Sequence, residues 1–276
     1  SREALVPPWP DLVIGSGRKT ARVARWLKRQ KPSMLLAQTQ WPESTEAMDV
    51  IAVPEHDRVP EHPAIMRTIG APHILTPDRL ATARDVLAPR LAHLPKPYIA
   101  CLVGGKNRHT AFTTEDARTL GRKASDLARE QGGSLLITTS RRTGKGCTEA
   151  LVSTLDVPYL LHVWTAGGDN PYVGLLGSAD GVIVTSESTS MCTEACATGR
   201  PVFLFHPVAS VPKKFAALHQ RLEQLGYLRP LGSPWFDVPA ALPNPAVAIA
   251  AAITRLWLQR NSSPAPDQIA TRALAP

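Results

Sequence analysis

Aromatic residues are scarce in this chain. Phe, Tyr and Trp make up 5% of its 276 positions, and most of its 43% hydrophobic content is aliphatic. There is enough apolar material for a sizeable core, built on Ala, Leu and Val. No apolar run approaches the roughly 18 residues that a membrane-spanning helix needs, which excludes that class. The four cysteines, Cys101, Cys147, Cys192 and Cys196, form no C-x-x-C pair. Cys192 and Cys196 fall four apart on an expected helix, which points to reduced core residues of a cytosolic protein and to no metal site. No Lys/Arg tract and no basic strip interleaved with aromatics argues for nucleic acid. The segment GSGRKT at residues 15–20 lacks the G-x-x-x-x-G-K-[ST] spacing of a phosphate loop. A tight strand-to-helix turn and a ligand-binding loop both remain open there.

The chain does have an excess of positive charge, +8 at neutral pH. Two readings fit: a basic solvated surface, or affinity for phosphate-bearing ligands or anionic lipid. The length suits one large or two modest domains. The opening SREALVPPWP reads as a start in mid-protein.

The most informative stretch is residues 179–205, ADGVIVTSESTSMCTEACATGRPVFLF. Val182, Ile183 and Val184 predict a strand buried on both faces. The run TSESTS makes a polar turn, and a helix over residues 191–198 with Ser190 as N-cap precedes the stop GRP. Residues 202–205 predict the next buried strand. A helix N-terminus at the carboxyl end of a parallel strand presents free N–H groups, and ligands of open α/β sheets bind there. Glu194 lies one turn into this helix, where its carboxylate would accept the hydroxyls of a ribose.

The same strand, loop and helix rhythm runs through the chain. Strands are expected at residues 11–14, 34–38, 49–53, 98–103, 134–138 and 159–163. Helices are expected at 21–30, 78–91, 113–131, 146–155, 172–178, 213–225 and 246–259. The polar residues gather in loops after strands. His56 beside Asp57 offers a base with an orienting carboxylate, a substrate-positioning pair, or a loop that holds its own turn. Gly104 and Gly105 let backbone approach a phosphate, with Lys106 or Arg108 to neutralise it. His109 is a phosphate donor, a general acid or a satisfied loop histidine. Ser140 and Arg141 suit a diphosphate, whereas Arg142 reads as structural. Residues 113–116 carry a capping box.

Residues 179–205 resemble the nucleotide-binding signature of two-domain glycosyltransferases of the B type, in the order strand, small polar turn, Ser/Thr, Glu, Ala, Gly-(Lys/Arg)-Pro, apolar strand. A narrower resemblance is to the bacterial and plant mitochondrial-fission "elongated mitochondria" proteins. It rests on VPEHD at 53–57, GG-x-x-x-H at 104–109, TTSRRT at 138–143, NPY-x-G at 170–174 and TSES-x-SM-x-x-EA at 185–195. These motifs span roughly residues 11–230.

The resemblance implies an α/β protein of two doubly wound Rossmann-like domains, GT-B-like, with an incomplete N-terminal domain. It places that domain at residues 1–95 and a nucleotide-binding domain at 96–242, separated by the stiff Pro95-Lys96-Pro97. A helix over 243–260 crosses back, and a disordered tail follows at 261–276. It gives Glu194 the ribose, and Gly104, Gly105, Ser186, Ser188 and Ser190 the phosphates. Glu187 would meet the sugar or its neighbours. Trp164 would stack on a base and Asn170 read its edge, although a loop aromatic also serves as a packing anchor.

The implied activity is metal-independent glycosyl transfer from a nucleotide-diphosphate sugar, with no separate cofactor. The acceptor would be a lipid or membrane-associated, and the protein cytoplasmic or peripheral to a membrane. Catalytic candidates are His56, Asp57 and Glu187. Two other classes stand beside this one: a nucleotide-sugar epimerase on the same fold, and a non-catalytic interaction scaffold.

Overall fold

The computed structural model describes residues 5–107, 110–208 and 213–262. Arg108 and His109, expected at the phosphate loop, and the tail from residue 263 lie outside the described residues. Two compact units divide the chain. One runs to Thr68 and resumes at Pro245, and the other is Ile69–Asn244.

The first unit begins with β1 (Leu12–Ser16), α1 (Arg18–Gln30), β2 (Leu35–Thr39), β3 (Val50–Pro54) and β4 (Ile65–Thr68). The strands form one parallel sheet in the order β1-β2-β3-β4. The short link between β2 and β3 is irregular, with positive φ at Gln40, Glu43 and Ala47. One face of the sheet packs Leu36, Ile51 and Val53 against Ala21 and Ala24 of α1.

The second unit contains α2 (Pro77–Leu91), β5 (Tyr98–Val103), α3 (Thr114–Glu130), β6 (Ser134–Thr139), α4 (Lys145–Val152), β7 (Tyr159–His162) and α5 (Tyr172–Ser178). It continues with β8 (Gly181–Thr185), α6 (Thr189–Cys196), β9 (Val202–Phe205), α7 (Lys213–Gln224) and β10 (Leu228–Pro230). All six strands are parallel, in the order β10-β9-β8-β5-β6-β7.

Successive residues of β5 serve opposite faces, as strand geometry requires. Ile99, Cys101 and Val103 pack with Leu120, Ala124 and Leu127 of α3. Ala100 and Leu102 pack with Leu176, Cys192, Cys196, Leu218 and Leu222 on the other side. The sheet is thus covered on both faces, and its strands read as continuous apolar runs for that reason. Each fully buried Leu or Ile contributes about 1.5–3 kcal/mol.

Two expectations are corrected here. The stiff segment at residues 95–97 does not separate the units. α2 belongs to the second unit, with Leu87 and Leu91 packed against Tyr98, Leu136 and Leu175. The 95–97 segment itself is tied to β6, since Ser134 donates its hydroxyl to Pro95 O at 2.7 Å and its N–H to Pro97 O at 3.0 Å. Burial of one apolar helix face outweighed a local linker signal. Secondly, Ser188 rather than Ser190 caps α6, accepting from Met191 N at 3.4 Å with an extended backbone (φ −127°, ψ 103°). Ser190 lies inside the first turn.

The chain closes with α8 (Pro245–Ser262) in the first unit. Ile249 and Ile253 cover Leu35, Ala37, Val50 and Ala52. Asp49 is the polar anchor of this packing. It accepts from Lys28 Nζ at 3.0 Å, from Leu36 N at 2.7 Å and from the Arg260 guanidinium.

Candidate functional site

The second sheet reverses its order of strand addition at β5, which pairs with β6 on one side and β8 on the other. Loops leaving β5 and β8 therefore diverge and leave a crevice at the carboxyl edge, the place where open α/β sheets hold ligands. Motif residues 104–107, 140–144 and 186–188 all lie along this edge.

A small hydrogen-bonded clamp joins the β5 and β8 loops. Gly104 N donates to Thr185 Oγ1 at 2.9 Å, and Gly105 N donates to Glu187 Oε1 at 2.7 Å. The Thr185 hydroxyl donates to the same Oε1 at 2.9 Å, and Asn107 Nδ2 donates to Glu187 O at 3.3 Å. The glycines are needed for closeness. A Cβ at Gly104 would stand 1.8 Å from Glu187 Oε1. At Gly105, φ is +112° and a Cβ would stand 2.4 Å from Arg142 O. Both amides are thus already spent within the protein. What the glycines offer is close approach of three loops rather than free N–H donors.

Glu187 is 2% exposed. Burial pushes its carboxyl above the ordinary range, and its own backbone amide, the Thr185 hydroxyl, the Gly105 N–H and the Arg142 guanidinium offset this only in part. Its Oε2 and the Ser186 hydroxyl have no hydrogen-bond partner among the described residues.

The β6 loop is held to the β5 loop in the same way. Thr143 Oγ1 accepts from Ser140 N at 2.9 Å and lies 3.0 Å from Gly104 O. The Ser140 hydroxyl donates to Gly104 O and accepts from Arg142 N at 3.1 Å. Ser140 and Thr143 are therefore occupied by the scaffold. What remains is a cavity of about 430 Å³ lined by Lys106, Phe112, Arg141, Arg142, Gly144 and Cys147, among others.

The N-terminus of α4 opens beside this cavity. Gly144 caps it at φ 76° with no side-chain hydrogen bond, and its first turn contains no acid. Its leading N–H groups and positive dipole end are left for a ligand or water. Among the described residues, Lys106, Arg141 and Arg142 make no side-chain hydrogen bond or ion pair. Lys106, Arg141 and Arg142 thus gather at a helix start that has no side-chain cap, and the Arg142 charge acts on the Glu187 carboxyl. Arg142, read as structural from the sequence, also lines this cavity. The Cys147 thiol donates to Phe112 O at 3.5 Å, and burial first, then the charge of Asp116, raises its pKa against the opposing Lys106.

Glu194 is paired with Tyr172, whose hydroxyl donates to Oε2 at 2.5 Å. Burial raises the Glu194 carboxyl, and this hydrogen bond works against the shift. Tyr172 is placed in turn by Asn170, whose Oδ1 accepts Tyr172 N at 3.1 Å. Asn170 thus shapes the turn into α5. The Tyr172–Glu194 pair escaped the sequence reading, although both residues stand in the quoted motifs.

Trp164 follows the edge strand β7, 38% exposed, with its N–H donated to Thr139 Oγ1 at 2.9 Å. Ser190 is exposed. In the first unit, His56 Nε2 and Asp57 Oδ1 stand 4.0 Å apart, an ion-pair rather than a hydrogen-bond separation. Arg67, unmarked by the sequence reading, donates to Asp57 O at 2.9 Å and Val59 O at 3.1 Å and shapes that loop.

The motifs now stand on a fold that positions them, and the comparison with known proteins agrees. A family model described as mitochondrial fission ELM1 matches residues 1–257. The chain belongs to the mitochondrial fission ELM1 family. This ELM1-family chain is 26% identical over 228 residues to the mitochondrial fission protein ELM1 of Arabidopsis thaliana, an alignment covering 74% of this chain and 53% of that protein. It therefore spans about half the length of that curated relative.

Among solved structures, the UDP-GlcNAc 2-epimerase of Methanocaldococcus jannaschii in complex with UDP-GlcNAc and UDP is similar at a TM-score of 0.51 and 13% identity, covering 95% of this chain and 78% of that one. A putative UDP-N-acetylglucosamine 2-epimerase of Listeria monocytogenes gives 0.51 and 11%, covering 92% and 66%. At such identities the likeness shows the fold alone: this ELM1-family chain has an α/β, Rossmann-like architecture. Among the described residues, no helix is long and apolar enough to cross a membrane.

Proposed function

We propose that this ELM1-family chain binds a nucleotide-diphosphate sugar along the carboxyl edge of its second sheet and transfers the sugar to an acceptor without a metal ion. The observation that carries this reading is the gathering of Lys106, Arg141 and Arg142 at the uncapped start of α4. A departing diphosphate concentrates negative charge, and fixed guanidinium groups with a helix N-terminus stabilise that charge as it develops. Glu194, oriented by Tyr172, takes the ribose hydroxyls. Ser186 and Ser188, at the mouth of α6, take the outer phosphate oxygens. Trp164 covers the base. The acceptor is a lipid-linked or membrane-associated hydroxyl compound.

Likeness to two epimerase structures supports a second reading, interconversion of a nucleotide-linked sugar.

Melting temperature measured with UDP, GDP, ADP, CDP and TDP tests the binding step. One diphosphate is expected to raise it, because a ligand of the folded state alone stabilises that state. No response to any of the five sinks the nucleotide reading and favours a non-catalytic scaffold. With the responding nucleotide sugar, release of free diphosphate in the presence of an acceptor supports transfer. A new sugar epimer without release supports epimerisation.

A further inference from the structure

The basic character of the chain is concentrated in one helix that plays no part in the nucleotide reading. α1, RKTARVARWLKRQ, carries six basic residues and no acidic one in 13 positions. Two of the six are neutralised: Arg18 pairs with Glu43 at 3.3 Å and Lys28 with Asp49 at 3.0 Å. Lys19, Arg22, Arg25 and Arg29 have no ion-pair partner among the described residues. Ala21, Ala24 and Leu27 are buried. At 100° per residue, Lys19, Arg22, Trp26 and Arg29 therefore share the opposite, outward arc, with Val23 at its edge. Lys19, Arg22 and Arg29 are exposed.

This arc is not purely ionic. Val23 is 46% exposed. Trp26 packs edge-to-face on Trp9, with ring centroids 5.6 Å apart at 89°. Trp9 is held beside α1 by Lys31, which donates to Trp9 O at 3.4 Å and pairs with Asp11. An edge-to-face tryptophan pair flanked by Lys19, Arg22 and Arg29 has the composition of a helix that lies in a lipid interface. There the cations meet anionic headgroups and the indoles sit at headgroup level. A single-stranded nucleic acid would call instead for rings standing open as stacking platforms, whereas these two are packed on each other.

We propose that the outward face of α1, with Trp9 and Trp26, docks this protein on an anionic lipid surface. The attraction requires exposed charges, so it is screened once the Debye length falls well below its value of about 8 Å at physiological salt. The cations anchor, and the indoles and Val23 set the depth.

Co-sedimentation of the full chain with phosphatidylcholine vesicles, with and without phosphatidylglycerol, tests this. Binding is expected only with the anionic lipid and is expected to fall with added salt. The triple variant K19E/R22E/R29E should lose on the order of a hundredfold in partitioning, given roughly a fivefold step per basic residue near the surface. Its melting temperature should be unchanged, because the three side chains are exposed. If that variant does not fold, K19Q/R22Q/R29Q gives the same direction with a smaller loss. Trp9→Phe with Trp26→Phe should reduce quenching by brominated acyl chains.

Vesicle binding indifferent to the three residues, or no binding to anionic vesicles, overturns the proposal. So does tighter binding of a nucleic-acid oligonucleotide through the same three residues at the same salt. None of these outcomes bears on the nucleotide site, which the diphosphate melting experiment tests separately.

Discussion

Glu187 Oε1 accepts the Gly105 N–H at 2.7 Å across 82 residues of chain, and this bond locks the loop after β5 to the loop after β8. The second carboxyl oxygen is buried without a partner among the described residues. Burial raises the pKa of this carboxyl, and the Glu187 and Gly105 amides, the Thr185 hydroxyl and the Arg142 charge offset that rise only in part.

The raised pKa has a definite consequence for stability. The folded state holds the Glu187 proton more firmly than the unfolded chain. The contribution is full below the ordinary carboxylate range and is lost as pH rises through the folded value. Glu187→Gln removes this titration. The melting temperature of the variant minus that of the wild type is expected to become more positive from acid to neutral pH. A difference that stays flat across that range would contradict a raised Glu187 pKa.

Gly105→Ala forces a side chain into the left-handed region at φ +112° and against Arg142 O. The strain and the clash together should cost at least about 2 kcal/mol of unfolding free energy. Chemical denaturation measures it. Gly132→Ala, also at positive φ but with nothing within 4 Å of its Cβ, should cost less and serves as the control.

Glu194→Ala should weaken nucleoside diphosphate binding by about 10–100-fold, the worth of hydrogen bonds to a charged group, with the fold intact. Tyr172→Phe frees the carboxylate at 2.5 Å without removing it and should cost less. Calorimetric titration distinguishes the two. Unchanged affinity in Glu194→Ala would remove the ribose assignment.

Arg141→Ala should weaken binding of a nucleoside diphosphate by about tenfold while leaving the nucleoside unaffected, since a guanidinium acts on the phosphates through charge-assisted bonds. Arg142→Ala should show the same selectivity and in addition raise the Glu187 carboxyl further, because its positive charge stabilises the anion there. Equal losses for nucleoside and diphosphate would remove both arginines from the phosphate site.

Local rules made much of this architecture legible from the chain alone. Apolar runs such as YIACLV at 98–103 and SLLIT at 134–138 read as strands covered on both faces, and the structure buries every residue of both. The capping box was readable because it closes within one turn: Thr113 accepts from Asp116 N at 3.1 Å, and Asp116 accepts from Thr113 N at 2.8 Å. The gathering of polar motifs after strands followed from the same periodicity.

The tertiary structure decided the rest, because it depends on strand order and not on sequence neighbourhood. Whether the Gly104 and Gly105 amides face a ligand or the protein was settled by β8 lying next to β5, which brings Thr185 and Glu187 to them from 81 and 82 residues away. The division between units was settled by the apolar face of α2, which found its cover under β5 and β6 despite a proline-rich segment in between. Arg142 differs from its neighbour Arg141 in nothing the sequence displays. Its place beside Glu187 is a property of three loops meeting at one sheet edge.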